Sequence, residues 1–263
     1  MRAAAAFIAA LLAGCAADPA AHVPPFARRP YEPFSRAAVV AIALTEWRAF
    51  GSPIDDDPPG ARPAPAPDAK PEREQGLWQR IGEYWWLGLN AGERETRWTG
   101  KHNAGGQVFP ADEDGRFAWS AAFISYVMRI AGAGPGFPYA PAHDTYINRA
   151  REMSLGRASG WRITAESPAA YAPLPGDLVC MSRTAVPLTF ADLPAGRFPA
   201  HCDIVVGGAP GVLDVVGGNV DDAVTLKHVP VTADGRLADA DGRVQDARYP
   251  WFVVLRVLAA APD

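Results

Sequence analysis

Apolar positions along the chain switch from helical to strand spacing about two thirds of the way through. Between Ser35 and Phe50, Val39, Ile42, Ala43, Trp47 and Phe50 fall near one face. Ser35 can cap that helix and Gly51 can stop it, so the spacing predicts a helix docked on a larger body. A second helix is expected over 72–89, where Trp78, Ile81, Trp85 and Leu89 recur at helical intervals; such a stripe reads as core. In "FAWSAAFISYVMRIAG", residues 117–132, Phe123, Val127 and Ile130 repeat at the same period and Gly132 ends the run. A short fourth helix is expected around Asp144 to Met153. After it come "PGDLVCM", "CDIVVGG", "GVLDVVGGNV", "AVTLKHVPV" and "YPWFVVLRVL", β-branched runs bounded by Gly and Pro that predict strands of an antiparallel sheet. Helices followed by strands make an α+β domain with the helices against one face of the sheet.

The intervening segments are of a different kind. Residues 52–71, "SPIDDDPPGARPAPAPDAKP", are crowded with Pro and Asp and predict a surface loop with no packed element. Residues 16–33 are rich in Pro and Ala and predict a flexible tether. The chain opens on "MRAAAAFIAALLAGC": one positive charge, then an apolar run too short to span a bilayer. Its end, Leu12-Ala13-Gly14-Cys15, resembles a bacterial lipoprotein signal, which implies lipid on Cys15 and anchorage without a spanning helix; the alternative is an ordinary secretory signal with a chance cysteine. Ala16 after the cysteine, by the same resemblance, implies the outer membrane, facing the periplasm. The expected organisation is a signal over 1–15, a tether over 16–33, helices and a Pro-rich loop packed on the core over 34–110, and an α+β core over 111–260.

Charge narrows the function. A formal net charge of -4 with no Lys/Arg run argues against nucleic-acid binding. Besides Cys15 the chain has Cys180 and Cys202, which in an oxidising compartment either pair or stay buried as thiols.

Three places can carry chemistry: Ser120 on the first turn of a helix, His201 at a strand start, and Asn219 at the end of the next strand. A nucleophile on a helix tip, a base on a facing strand and a polar group orienting that base is the arrangement of nucleophilic hydrolases. The helix tip adds amides that can hold an oxyanion. Each residue also has a plainer role. Ser120 can be a helix cap, His201 a structural histidine, and Asn219 a turn residue tolerating left-handed geometry. Asp203 shares a strand face with His201 and can orient it, although a solvated strand residue is the favoured reading. Asp177 reads as a turn residue. His143, just before the fourth helix, lines the same cleft or is a loop histidine. No metal or other cofactor is expected, because His143, His201 and Asp203 lack metal-motif spacing.

"WSAAFISYVM", "PGDLV", "HCDIVV" and "GGNV" together resemble the NlpC-type and CHAP-type papain-like amidases, bacterial cell-wall hydrolases with a Cys-His-polar triad. The ordered set "EW..FG", "YW", "WSAAFIS", "AH..YI" and "HCDIVV...GGNV", from Glu46 to Val220, is similar to the bacterial domain of unknown function 2272, which resembles that superfamily. The resemblance implies a papain-like core with an N-terminal helical extension. Its cleft would be lined by Trp119, His143 and Asp203 and have Ser120, His201 and Asn219 at its centre. Serine stands where the amidases carry cysteine. A hydroxyl stays protonated at neutral pH and needs a well-aligned base, which a site shaped for a thiolate need not supply. The leading expectation is an envelope lipoprotein that binds a cell-wall peptide or acyl ligand with weak or no hydrolysis. An active serine-dependent amide hydrolase acting on peptidoglycan and a non-catalytic envelope scaffold are the alternatives.

Overall fold

The computed structural model describes residues 33–259, apart from 62, 64, 238–240 and 242–245. The expected signal, Cys15 and nearly all of the tether lie outside these residues. Among the described residues no helix is long and apolar enough to cross a membrane. The described residues form one unit.

Among the described residues four α-helices precede six strands: α1 (Arg36–Ala49), α2 (Leu77–Gly88), α3 (Ser120–Ile130), α4 (His143–Ser154), β1 (Ile163–Glu166), β2 (Leu178–Ser182), β3 (Ala200–Ala209), β4 (Val212–Val220), β5 (Ala223–Pro230) and β6 (Trp251–Val257). The strands form one antiparallel sheet in the order β1-β6-β2-β3-β4-β5. This is the expected α+β class.

Local chemistry explains the helix ends. Ser35 caps α1, its hydroxyl accepting from the Ala38 amide at 3.1 Å. α2 begins at Leu77, five residues later than expected, because Gly76 takes φ 94 and the preceding turn is a short 3-10 segment starting at Pro71. Glu46, buried on α1, ties three helices together. It pairs with Arg80, and it accepts from the Tyr84 hydroxyl at 2.6 Å and the Tyr126 hydroxyl at 3.4 Å.

The main core lies between the helices and one face of the sheet, where Phe123, Ile124 and Val127 of α3 meet Cys202, Ile204 and Val216. Burial of this kind is the dominant favourable term in folding. The opposite face is also apolar. Val179, Val205, Val215 and Val229 pack there beneath Tyr249, Trp251 and Leu237.

α3 is held closely on two sides. A Cβ on Gly88 of α2 would lie 2.7 Å from the Ala122 carbonyl oxygen, and one on Gly218 of β4 would lie 2.6 Å from Phe123 Cβ. Both glycines mark close approach.

One expectation is corrected. The Pro-rich loop is not without ordered pairing: Ile54 bridges Leu226 in parallel, with the Asp55 amide donating to the Leu226 carbonyl at 2.9 Å and the Leu226 amide to the Pro53 carbonyl at 3.0 Å. An edge strand offers unpaired backbone groups whatever the side-chain pattern of the segment that meets them, and Pro53 needs only its carbonyl. β1 was not anticipated either; at four residues it is too short for alternation to stand out, and its pairing with β6 defines it.

Cys180 and Cys202 are joined by a disulfide across β2 and β3. It closes a loop of sequence separation 22. Replacing both cysteines by alanine should lower stability by about 3 kcal/mol through the less constrained unfolded chain, measured by urea unfolding with the wild type under non-reducing conditions.

Candidate functional site

Ser120 is the first residue of α3, after Trp119 as its cap. The Trp119 indole is fully buried against Phe50 and Tyr84, and its N–H donates to Glu72 Oε2 at 2.8 Å. Trp119 therefore lines no opening. It acts on the site by fixing where α3 starts.

The Ser120 hydroxyl lies 2.7 Å from His143 Nε2 at the start of α4. His143 Nδ1 in turn meets the Tyr146 hydroxyl one helical turn on. Burial, with a smaller push from His201 and against the pull of Asp203, holds His143 well below the usual histidine range. The ring is thus neutral and carries one proton. Burial likewise keeps the Tyr146 phenol protonated.

Proton accounting then sets the tautomer. Tyr146 is fully buried, and among the described residues its hydroxyl has no acceptor other than His143 Nδ1. Leaving that donor unpaired would cost about 1–3 kcal/mol. Ser120 keeps 7% exposure, so its own proton can reach water. On this accounting Tyr146 donates to Nδ1 and Nε2–H donates to Ser120 Oγ.

The expected partnership of Ser120 with His201 takes a different form. His201 makes no hydrogen bond with Ser120; the link is His143, whose ring centroid is 5.3 Å from that of His201. His201 Nε2 is 2.8 Å from Asp203 Oδ1 two residues along β3, and Lys227 of β5 places Nζ 2.7 Å from Asp203 Oδ2. Asp203 is fully buried, where solvent was the favoured expectation. Burial works to raise its carboxyl, but the Lys227 ammonium and His201 outweigh it, so the group is a carboxylate held well below its usual range. Burial lowers His201 despite Asp203, so this ring too is neutral, with Nε2–H on the carboxylate and Nδ1 left as a lone pair.

Asn219 is not the orienting group. It is the extra residue where the β4–β5 register shifts, it takes φ 57, and among the described residues its side chain makes no hydrogen bond. A left-handed bulge position next to a tight hairpin suits asparagine for backbone reasons. Asp177 is more than a turn residue: it is fully buried, its carboxylate pairs with Arg36 at 2.7 Å, and it accepts from the Val257 amide at 2.7 Å.

Sequence reasoning missed Tyr146 and Lys227. The signal for Tyr146 was its place three residues after His143 on one helix face. Lys227 carried none, because a lysine in a strand reads as solvated.

Among the described residues no cluster of His, Cys, Asp or Glu can hold a metal ion. The arrangement is a hydroxyl on a helix tip, two neutral imidazoles and one balanced carboxylate, on an α+β frame. Residues 72–257 match the family described as "Uncharacterized protein conserved in bacteria (DUF2272)", and the chain belongs to that family. Neither a curated protein nor a solved structure matches the chain.

Behind Trp119 lies a second titratable group. Burial, together with the Asp222 and Asp114 carboxylates and against the Trp119 N–H, pushes the Glu72 carboxyl up to about 8. A carboxyl raised on folding binds a proton that the unfolded chain releases near pH 4.5, so it lowers stability as pH rises from there to about 8. Glu72→Gln should therefore flatten the fall in melting temperature between pH 5 and about 8. Calorimetry across that range tests it; an unchanged slope would contradict it.

Proposed function

We propose that this protein is an envelope lipoprotein whose papain-like, NlpC/CHAP-type cleft binds a cell-wall peptide or other acyl ligand without appreciable hydrolysis. The observation that carries the reading is that His143 lies between the Ser120 and Tyr146 hydroxyls, one on each ring nitrogen. A serine nucleophile must pass its proton to a base during attack. With Tyr146 donating to Nδ1, the His143 tautomer that follows carries its proton on Nε2, toward Ser120 Oγ, and His201 makes no hydrogen bond with Ser120. The serine hydroxyl is then a donor available to a carbonyl or carboxylate oxygen, next to the amides at the start of α3.

One observation favours a second reading, an active amide hydrolase. His201 is paired with a carboxylate and keeps an acceptor nitrogen, as a general base does.

Purified protein is expected to leave muropeptides intact and Ser120 unlabelled by a fluorophosphonate. Calorimetry should show saturable muropeptide binding, weakened about fivefold by Ser120→Ala, the equivalent of about 1 kcal/mol for one hydrogen bond. Turnover or labelling that His201→Ala abolishes would establish the hydrolase instead. Lipid on Cys15 is part of the proposal: Cys15→Ser should move the protein from the membrane fraction to the soluble fraction, and unchanged partitioning would remove the anchor.

A further inference from the structure

We infer that Lys227 is a positioning residue: through Asp203 it keeps His201 neutral, with the proton on Nε2 and the Nδ1 lone pair free. The inference extends the ligand-cleft reading only in its consequence for binding; its physical basis is independent of that reading.

The geometry is a chain of three side chains, two from β3 and one from β5, the strand on the other side of β4. Lys227 Nζ meets Asp203 Oδ2 at 2.7 Å, and Asp203 Oδ1 meets His201 Nε2 at 2.8 Å. None of the three is more than 2% exposed. A lone buried carboxylate next to an imidazole would draw a proton onto the ring, because an opposite charge favours the charged form. Lys227 supplies the compensating charge first. With the ammonium on one oxygen, the carboxylate is balanced, and a second cation on the other oxygen would leave a buried net charge.

The other charged and titratable groups facing His201 point the same way. His143 approaches from α4 and is neutral, and Arg183 beyond β2 opposes any charge on the ring. Lys227 is itself fixed from its other side, with Nζ 4.8 Å from the Tyr249 ring centroid and 5.8 Å from that of Trp251. These aromatic faces stabilise a buried ammonium.

β4 is cut to fit this chain. A Cβ on Gly217 would lie 1.8 Å from Asp203 Oδ1 and 2.9 Å from His201 Nε2. Only a residue without a side chain leaves room for the histidine–carboxylate bond. Among the charged side chains near the pair, Lys227 is the one in direct contact with the Asp203 carboxylate.

The test is the protonation of His201, read by long-range 15N–1H spectra of the imidazoles and assigned through His201→Gln. In the wild type the ring should be neutral with Nε2–H at pH 7. Lys227→Met should raise its titration midpoint by about one to three pH units, while Lys227→Arg should return it toward the wild type. A wild-type ring that is charged, or protonated on Nδ1, at pH 7 overturns the inference without any variant. A folded Lys227→Met protein with an unshifted midpoint overturns it as well. If the midpoint shifts as expected while muropeptide affinity stays the same, Lys227 keeps this role and the reading of His201 as part of a ligand cleft fails.

Discussion

The position of α3 depends on the absence of two side chains. Gly88 lets α2 reach the backbone of α3, and Gly218 lets Phe123 of α3 press onto β4. An added Cβ at either place would meet atoms that α3 cannot move without shifting its whole length, since protein interiors are close-packed. The helix is therefore set from both sides, and with it Ser120. Everything that Ser120 meets, from His143 to the amides of the first helical turn, inherits that placement.

The electrostatics of the site follow from how little water reaches it. Two imidazoles there are neutral because burial disfavours their charged forms, and the one carboxylate survives because a lysine lies against it. The hydrogen-bond directions are consequences of that protonation pattern. Glu72, on the far side of Trp119, is the contrasting case: near other carboxylates, it holds its proton into the neutral range.

Helical periodicity and β-branched runs made most of the fold legible. Val39, Ile81, Trp85, Phe123 and Val127 are buried as their spacing requires. β1 and the Ile54 bridge were not legible, because both are defined by backbone pairing with distant segments rather than by a local pattern. In the site, Ser120, His143, His201 and Asp203 were all visible as candidates, but the partnerships were not. Which nitrogen faces which group depends on the relative placement of α4, β3 and β5. "GGNV" carried real information of another kind: its glycines are spaces, Gly217 for the His201–Asp203 bond and Gly218 for Phe123, and its asparagine is a bulge. Lys227 lay hidden in "AVTLKHVPV" because lysine is seldom buried without a partner, and its partner was on another strand.

The stretch of chain at Pro53–Asp55 has an effect beyond its own few hydrogen bonds. By lying along β5 it occupies part of that margin of the sheet, and the opposite margin is the four-residue β1. Neither rim leaves a long row of vacant amides and carbonyls on which a foreign strand can grow. Association with other macromolecules is thereby steered toward helical and loop surfaces and away from sheet extension. A protein built this way is guarded against fibril-like stacking at both of its borders.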